Sequence, residues 1–316
     1  MPFLCMLHRM TRILTLTLNP AVDVAFTADA VVPGHKIRVR GETHDPGGGG
    51  VNVARVLHEL GEDVLAVVLA GGVTGAHLLE LLTAEGVAVR AVPVVGSTRI
   101  CTTVQDAASG QEYRFVPEGP DVGADALAAC AAALAEEAGG WLVISGSLPR
   151  GVAETAVRDI ATAAVARGLG VVVDTSGPAL RAALGVGLAL IKPSLRECEG
   201  LLGRALPDAA AQDAAALELM RSGAAERVVV SLGGEGALIA SAEGVVRLPA
   251  LPVVVRGAVG AGDSMVAARV RAVAHGAAAR EVLAWGVAAG TAAVAQSGTA
   301  HARRGEIEGY YLQVEK

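Results

Sequence analysis

Short apolar runs at Ile13 to Leu18, Val64 to Leu69, Trp141 to Ile144, Val171 to Val173, Leu188 to Ile191 and Val228 to Val230 alternate along the chain with segments of helical period. Runs this short and this continuous suit strands buried on both faces, and the helical segments between them supply the crossovers that parallel pairing requires. The pattern predicts an α/β protein with a central, mostly parallel sheet between helices. Alanine and valine make up most of the apolar bulk; the chain is 52% hydrophobic but only 3% aromatic, so helices can pack close to the strands. No repeat, heptad array or low-complexity linker interrupts the 316 residues, which are read as one domain, 1–316.

Around 22–42 and 89–116 the pattern changes to alternating polar and apolar residues with turn signals such as Ala108-Ser109-Gly110. These stretches are expected to form antiparallel strands exposed on one face. A net charge of −6 leaves no basic footprint for nucleic acid or an anionic membrane, so the expected partner is a small molecule. Cys5, Cys101, Cys130 and Cys198 form no CxxC pair, which suggests reduced thiols and a cytoplasmic setting. The run from Pro2 to Leu7 lacks a preceding basic segment and is too short to span a membrane. Residues 1–10 are read as a disordered extension, with Met10 an alternative start.

Two glycine clusters carry the chemistry. Gly257-Ala258-Val259-Gly260-Ala261-Gly262-Asp263-Ser264-Met265 opens into a helical pattern that includes Val266, Val270 and Val273. Small residues at 260–262 allow backbone N–H groups and the positive end of a helix dipole to converge on an anion. Asp263 then stands where it can take a proton from a hydroxyl attacking a phosphoryl group; its bland alternative is a helix cap. Pro46-Gly47-Gly48-Gly49-Gly50-Val51-Asn52 also runs into a helix, with Val53, Val56, Leu57 and Leu60 on one face. Close backbone approach by a ligand accounts for it better than a linker, because Asn52 lies in the first helical turn.

These clusters occur in order with Thr15-Leu16-Thr17-Leu18-Asn19-Pro20-Ala21-Val22-Asp23, Gly71-Gly72-Val73-Thr74-Gly75, Ser109 to Val116, Ile144-Ser145-Gly146-Ser147-Leu148-Pro149 and Val229 to Ala237. From Arg12 onward the chain resembles the ribokinase-like superfamily and, within it, the phosphofructokinase B group of sugar kinases. The resemblance implies a three-layer core with a small β-sheet lid over the sugar site, and a homodimer joined through the lid strands. It implies ATP as co-substrate with Mg²⁺, and a monovalent cation such as K⁺.

Carried over residue by residue, the resemblance assigns catalysis to Asp263 with Gly260, Ala261 and Gly262, and sugar binding to Asp23, Gly48, Gly49, Asn52, Arg99 and Ser147. Asp23 is suited to accept protons from two sugar hydroxyls; a turn cap after Pro20 is the alternative. Of 26 Lys plus Arg, only Lys36, Lys192 and Lys316 are lysine, so the internal two are candidates for compact cations. Lys36 and Arg38, in the first lid strand, are expected to face a sugar phosphate with Arg99, although a basic residue there, Arg38 or Arg40, also suits an ordinary edge strand.

Lys192, Ser194, Glu197, Ser231, Gly233 and Gly236 fall at nucleotide positions in the resembled group, and Glu197 at the one that the resemblance implies reaches magnesium through water. The group shows Asn-x-x-Glu where this chain has Ser194-Leu195-Arg196-Glu197, a spacing that also fits a capping box. There is no Walker A motif. Gly47 to Gly50 lacks the lysine of the GGKG tract of 1-phosphofructokinases and tagatose 6-phosphate kinases. The all-glycine form, with Tyr113-Arg114-Phe115-Val116, is similar to the 6-phosphofructokinase branch. The expected reaction is ATP-dependent phosphorylation of fructose 6-phosphate; the alternatives are those two kinases and an inactive sugar-phosphate sensor.

Overall fold

The six apolar runs become neighbours. In the computed structural model, which describes residues 12–257, 259–296 and 301–315, the chain order is β1 (Ile13–Thr17), β2 (Ala21–Ala28), β3 (Val39–Gly47), α1 (Gly49–Glu59), β4 (Val64–Ala70), α2 (Gly72–Ala84), β5 (Ala88–Pro93), β6 (Arg99–Asp106) and β7 (Glu112–Phe115). Then follow α3 (Ala124–Glu136), β8 (Trp141–Ser145), α4 (Ala156–Ala166), β9 (Gly170–Asp174), α5 (Gly177–Ala183), β10 (Leu190–Ile191), α6 (Leu195–Leu202), α7 (Ala209–Arg221) and β11 (Val228–Ser231). The chain closes with β12 (Ala237–Ser241), β13 (Gly244–Leu248), α8 (Ala261–Ala274), α9 (Ala279–Val294) and α10 (Arg304–Val314). The expected extension over 1–10, with Met10, lies outside the described residues.

A nine-stranded sheet runs β13-β12-β11-β10-β9-β8-β1-β4-β5, parallel except at β12 and β13. The strands of the six runs form its centre, as their lack of polar alternation demands: β1 and β4 are buried at every position. Ile13 joins the core with α1, α8, α9 and α10, whereas Leu14 and Leu16 join the core with α3, α4, α5 and α7. The result is a three-layer ribokinase-like architecture. Ala288, Ala289 and Ala292 of α9 and Ala267 and Ala268 of α8 are fully buried, which is where the alanine-rich composition is used.

A second sheet, β3-β2-β6-β7, forms from these stretches, but it departs from the expectation of antiparallel, one-sided strands: only its outer pairs are antiparallel, β2 and β6 pair in parallel, β2 is mostly buried and β3 is exposed over its first six residues. The segment 89–93 is not part of it. β5 pairs in parallel with β4 as an edge of the main sheet, and it shows alternating exposure because only one face is well covered. Residues 29–38 form the connection between β2 and β3, so Lys36 and Arg38 lie on an exposed loop instead of a strand. Neither makes a hydrogen bond or ion pair among the described residues, and Arg99 bonds elsewhere. Arg40, at the start of β3, pairs with Asp29.

Candidate active site

The C-terminal ends of the parallel strands converge where the two sheets meet, the place where open α/β sheets bind ligands. Gly260, at φ 71°, turns the chain into α8 in a left-handed conformation that favours glycine. The first intrahelical bond runs from Ser264 N–H to Gly260 O at 2.8 Å, leaving the amides of 261–263 without helical acceptors. These are the amides that the sequence expectation assigns to an anion hole. Asp263 does not cap this helix: no side chain caps α8, and the Asp263 carboxylate instead accepts from Asn52 Nδ2 at 2.8 Å.

Burial pushes the Asp263 carboxyl from its ordinary 3.8 up to about 6, helped by the nearby negative charges of Asp174 and Asp23; the Asn52 bond and Lys192 oppose the rise. Lys192 follows β10 and is buried, with its Nζ 3.3 Å from Asp174 Oδ1. A methyl group on Gly262 would stand 3.8 Å from that Nζ, so the ammonium lies near the first turn of α8. Asp174, at the end of β9, also receives a hydrogen bond from Ser145 Oγ at 3.4 Å. Sequence reasoning missed Asp174. A lone acid at a strand end has no motif, and its partners come from other strands.

Asp23, an expected sugar contact, lies on β2 with Asp45 of β3 and Cys101 of β6 in register beside it. Burial raises the Asp23 carboxyl, while Arg114, Arg55 and Arg99 favour its charged form. Arg99 donates to Asn19 O at 2.9 Å, Pro117 O at 3.0 Å and Ser147 Oγ at 3.4 Å, so Asp23, Arg99 and Ser147 share one wall. The glycine tract has a packing cause beside the expected ligand approach. A Cβ on Gly47 would overlap the Asp23 carboxylate, and one on Gly49 would sit 2.5 Å from Ser145 Oγ. The chain's own close packing already requires these glycines.

On the other side of the anion hole, Ser231, Gly233, Gly236, Ala261 and Gly262 line a cavity of about 510 Å³ whose apolar wall includes Leu251, Met265 and Val287. Ser194 bridges to Ser231 in parallel register, which places α6 beside this cavity. Ser194 and Glu197 form a complete capping box: Ser194 N–H and Oγ–H donate to Glu197 Oε2 at 2.7 and 2.8 Å, and Glu197 N–H donates to Ser194 Oγ at 3.3 Å. Among the described residues there is no group of three or more His, Cys, Asp or Glu side chains able to hold a metal. No helix among them is long and apolar enough to cross a membrane.

A buried carboxylate, helix-start amides without helical acceptors and a nearby lysine are the kinds of group that phosphoryl transfer requires, and they lie between the wall of Asp23, Arg99 and Ser147 and a mostly apolar cavity. The chain belongs to the pfkB family of carbohydrate kinases, whose family model matches residues 16–304. It is 42% identical over 292 residues to the ATP-dependent 6-phosphofructokinase isozyme 2 of Escherichia coli, covering 92% of this chain and 94% of that one. The isozyme 2 of Mycobacterium tuberculosis is 39% identical over 302 residues, covering 95% and 89%. The crystal structure of phosphofructokinase-2 from E. coli in complex with fructose-6-phosphate superposes with a TM-score of 0.92 at 39% identity, covering 97% of this chain and all of that chain.

Proposed function

We propose that this chain transfers the γ-phosphoryl group of ATP to fructose 6-phosphate, giving fructose 1,6-bisphosphate. The observation that carries the reading is the Asp263 carboxylate, bonded to Asn52 and set at the first turn of α8 beside amides that have no helical acceptor. Asp263 takes the proton from the acceptor hydroxyl. The amides of 261–263 and Lys192 stabilise charge on the phosphoryl group in flight. Asp23 accepts hydrogen bonds from sugar hydroxyls, and Arg99 with Ser147 faces the phosphate already on the sugar.

The nucleotide occupies the cavity between Ser231 and Gly262. Mg²⁺, when bound with ATP, neutralises the β and γ oxygens. Both capping bonds to the Glu197 carboxylate end on Oε2, so Oε1 remains available to a metal-bound water. A site with one protein carboxylate suits Mg²⁺, which keeps several waters and shares substrate phosphates. A monovalent cation is also proposed; the E. coli phosphofructokinase-2 structure in complex with potassium motivates comparing rates in K⁺ and Na⁺.

Two copies are proposed to pair through the smaller sheet, where Val39, Ile100 and Phe115 are 43%, 43% and 58% exposed. Sedimentation of the purified chain tests this. Sugar specificity is tested by a coupled assay over fructose 6-phosphate, fructose 1-phosphate, tagatose 6-phosphate and fructose. A preference for fructose 1-phosphate or tagatose 6-phosphate keeps the kinase and overturns the substrate; no turnover with any of them, but tight binding, indicates a sensor.

A further inference from the structure

We propose that Arg55 is a positioning residue that holds the sugar-side carboxylate and the base in one frame, by clamping the end of β3 to the helix that presents Asn52. The inference rests on Asp23 binding the sugar. Arg55 lies one helical turn after Asn52 on α1, so the two side chains are neighbours on that helix. Its guanidinium is buried, and all three of its nitrogens are bonded.

Nε and Nη2 grip both oxygens of Glu85, at the end of α2, at 2.7 and 2.6 Å. Nη1 donates to Pro46 O at 3.0 Å, and Nη2 also donates to Asp45 Oδ1 at 3.2 Å. The two β3 contacts matter most. Asp45 is the cross-strand neighbour of Asp23, and Pro46 immediately precedes Gly47, whose missing side chain makes room for the Asp23 carboxylate. One rigid fork therefore ties the wall behind Asp23 to the helix whose Asn52 bonds Asp263. Lysine, a single point donor, cannot span Glu85, Asp45 and the Pro46 carbonyl together.

The same guanidinium acts on Asp23 by charge. Arg114 of β7, Arg55 of α1 and Arg99 of β6 favour the Asp23 carboxylate, Asp45 of β3 disfavours it, and Cys101 of β6 is within hydrogen-bonding reach. Asp263 of α8 also feels the Asp23 charge. Asp23 must be ionised to accept hydrogen bonds from two sugar hydroxyls at once. Loss of the Arg55 charge raises its pKa, so the acid limb of sugar binding moves to higher pH.

The test is calorimetric binding of fructose 6-phosphate to the full chain from pH 5 to pH 8, with steady-state kinetics and melting temperature, for wild type, Arg55→Met, Arg55→Lys and Asp23→Asn. Arg55→Met is expected to lower kcat/KM for fructose 6-phosphate by about 10- to 100-fold, the scale of a small misplacement, and to shift the acid limb of binding upward while Mg·ATP affinity changes less than about twofold. Arg55→Lys keeps the charge and loses the fork, so the limb stays in place and sugar affinity still falls. A lower melting temperature with both the limb and sugar affinity unchanged in either variant makes Arg55 only a brace and overturns the proposal. If Arg55→Met does not fold, Arg55→Lys decides alone: wild-type sugar affinity overturns the clamp. Unimpaired sugar binding by Asp23→Asn is a separate outcome, which removes the reading of Asp23 on which the inference stands.

Discussion

Asn52 Nδ2 donates to Asp263 Oδ2 at 2.8 Å across 211 positions of sequence, joining the helix that leaves the first glycine turn to the helix that leaves the second. The bond is made to the carboxylate proposed as the base, which must be charged to act. It favours the ionised form, against the burial that opposes it.

Removing that donor should therefore raise the Asp263 pKa above its value of about 6. In Asn52→Leu, the acid limb of kcat is expected at higher pH than in wild type, in addition to any loss of sugar affinity. A limb that stays where it was would show that the bond does not set the base.

Asp263→Asn should lower kcat by about 10² to 10⁴, the range for a general base. Stability should move the other way. Because the folded pKa is raised above the ordinary 3.8, folding favours the protonated acid, and its charge destabilises the fold increasingly as pH rises from about 4 through about 6. By linkage the penalty at pH 8 is of order 2 to 3 kcal/mol. The variant should melt higher than wild type at pH 8, with the difference shrinking toward pH 4; a variant less stable at every pH would assign Asp263 a structural role.

Arg99 faces both Ser147 and the turn at Asn19, and it is read as the sugar-phosphate contact. Arg99→Met should raise KM for fructose 6-phosphate strongly while barely changing the weak turnover of fructose, because only the phosphorylated sugar uses that charge. Equal losses with both acceptors would make Arg99 a support for the Asn19 turn.

What the sequence disclosed follows from how local each signal is. The six buried strands were legible because a strand covered on both faces needs no polar alternation, and the glycine turn that opens α8 because small residues before a helical pattern have few other uses. β5 was assigned to the wrong sheet, since an edge strand covered on one side has the same alternation as a lid strand. The loop carrying Lys36 and Arg38 was read as strand for a related reason: its alternating residues are all exposed. Asp174 and Arg55 left no trace because each depends on partners brought together by the topology: Asp174 with Lys192 after the next strand, and Arg55 with a strand end and a helix end. The glycine tract was located correctly but for an incomplete reason, because its close neighbours include the chain's own Asp23 and Ser145.

Lys192 neutralises Asp174 and lowers the Asp263 pKa from within the same cluster. Lys192→Met should lower kcat, raise KM for ATP and move the acid limb upward together. Lys192→Arg should not restore wild-type behaviour, because the side chain is buried and its compact ammonium, paired with Asp174 at 3.3 Å, would be replaced by a larger planar group of different donor geometry. Full recovery by arginine would reduce Lys192 to a generic positive charge.

Glu197 has two roles that a single substitution can separate. As the third residue of α6 it completes the capping box with Ser194, and a glutamine there can still accept from the Ser194 amide. Glu197→Gln should therefore cost little stability, well under the roughly 0.5 to 2 kcal/mol expected when Ser194→Ala removes the cap. Its charge is what a metal-bound water would feel. With that charge gone, the magnesium titration of kcat should shift to higher concentration and kcat should fall, with fructose 6-phosphate binding unchanged. Ser194→Asn restores the amide usual in related kinases and should keep or improve the apparent Mg·ATP affinity, since a water spanning the shorter serine costs at most about 2 kcal/mol. Should Glu197→Gln leave the magnesium titration where it is in wild type, the pair is a helix cap alone and the metal is held by other residues and the phosphates.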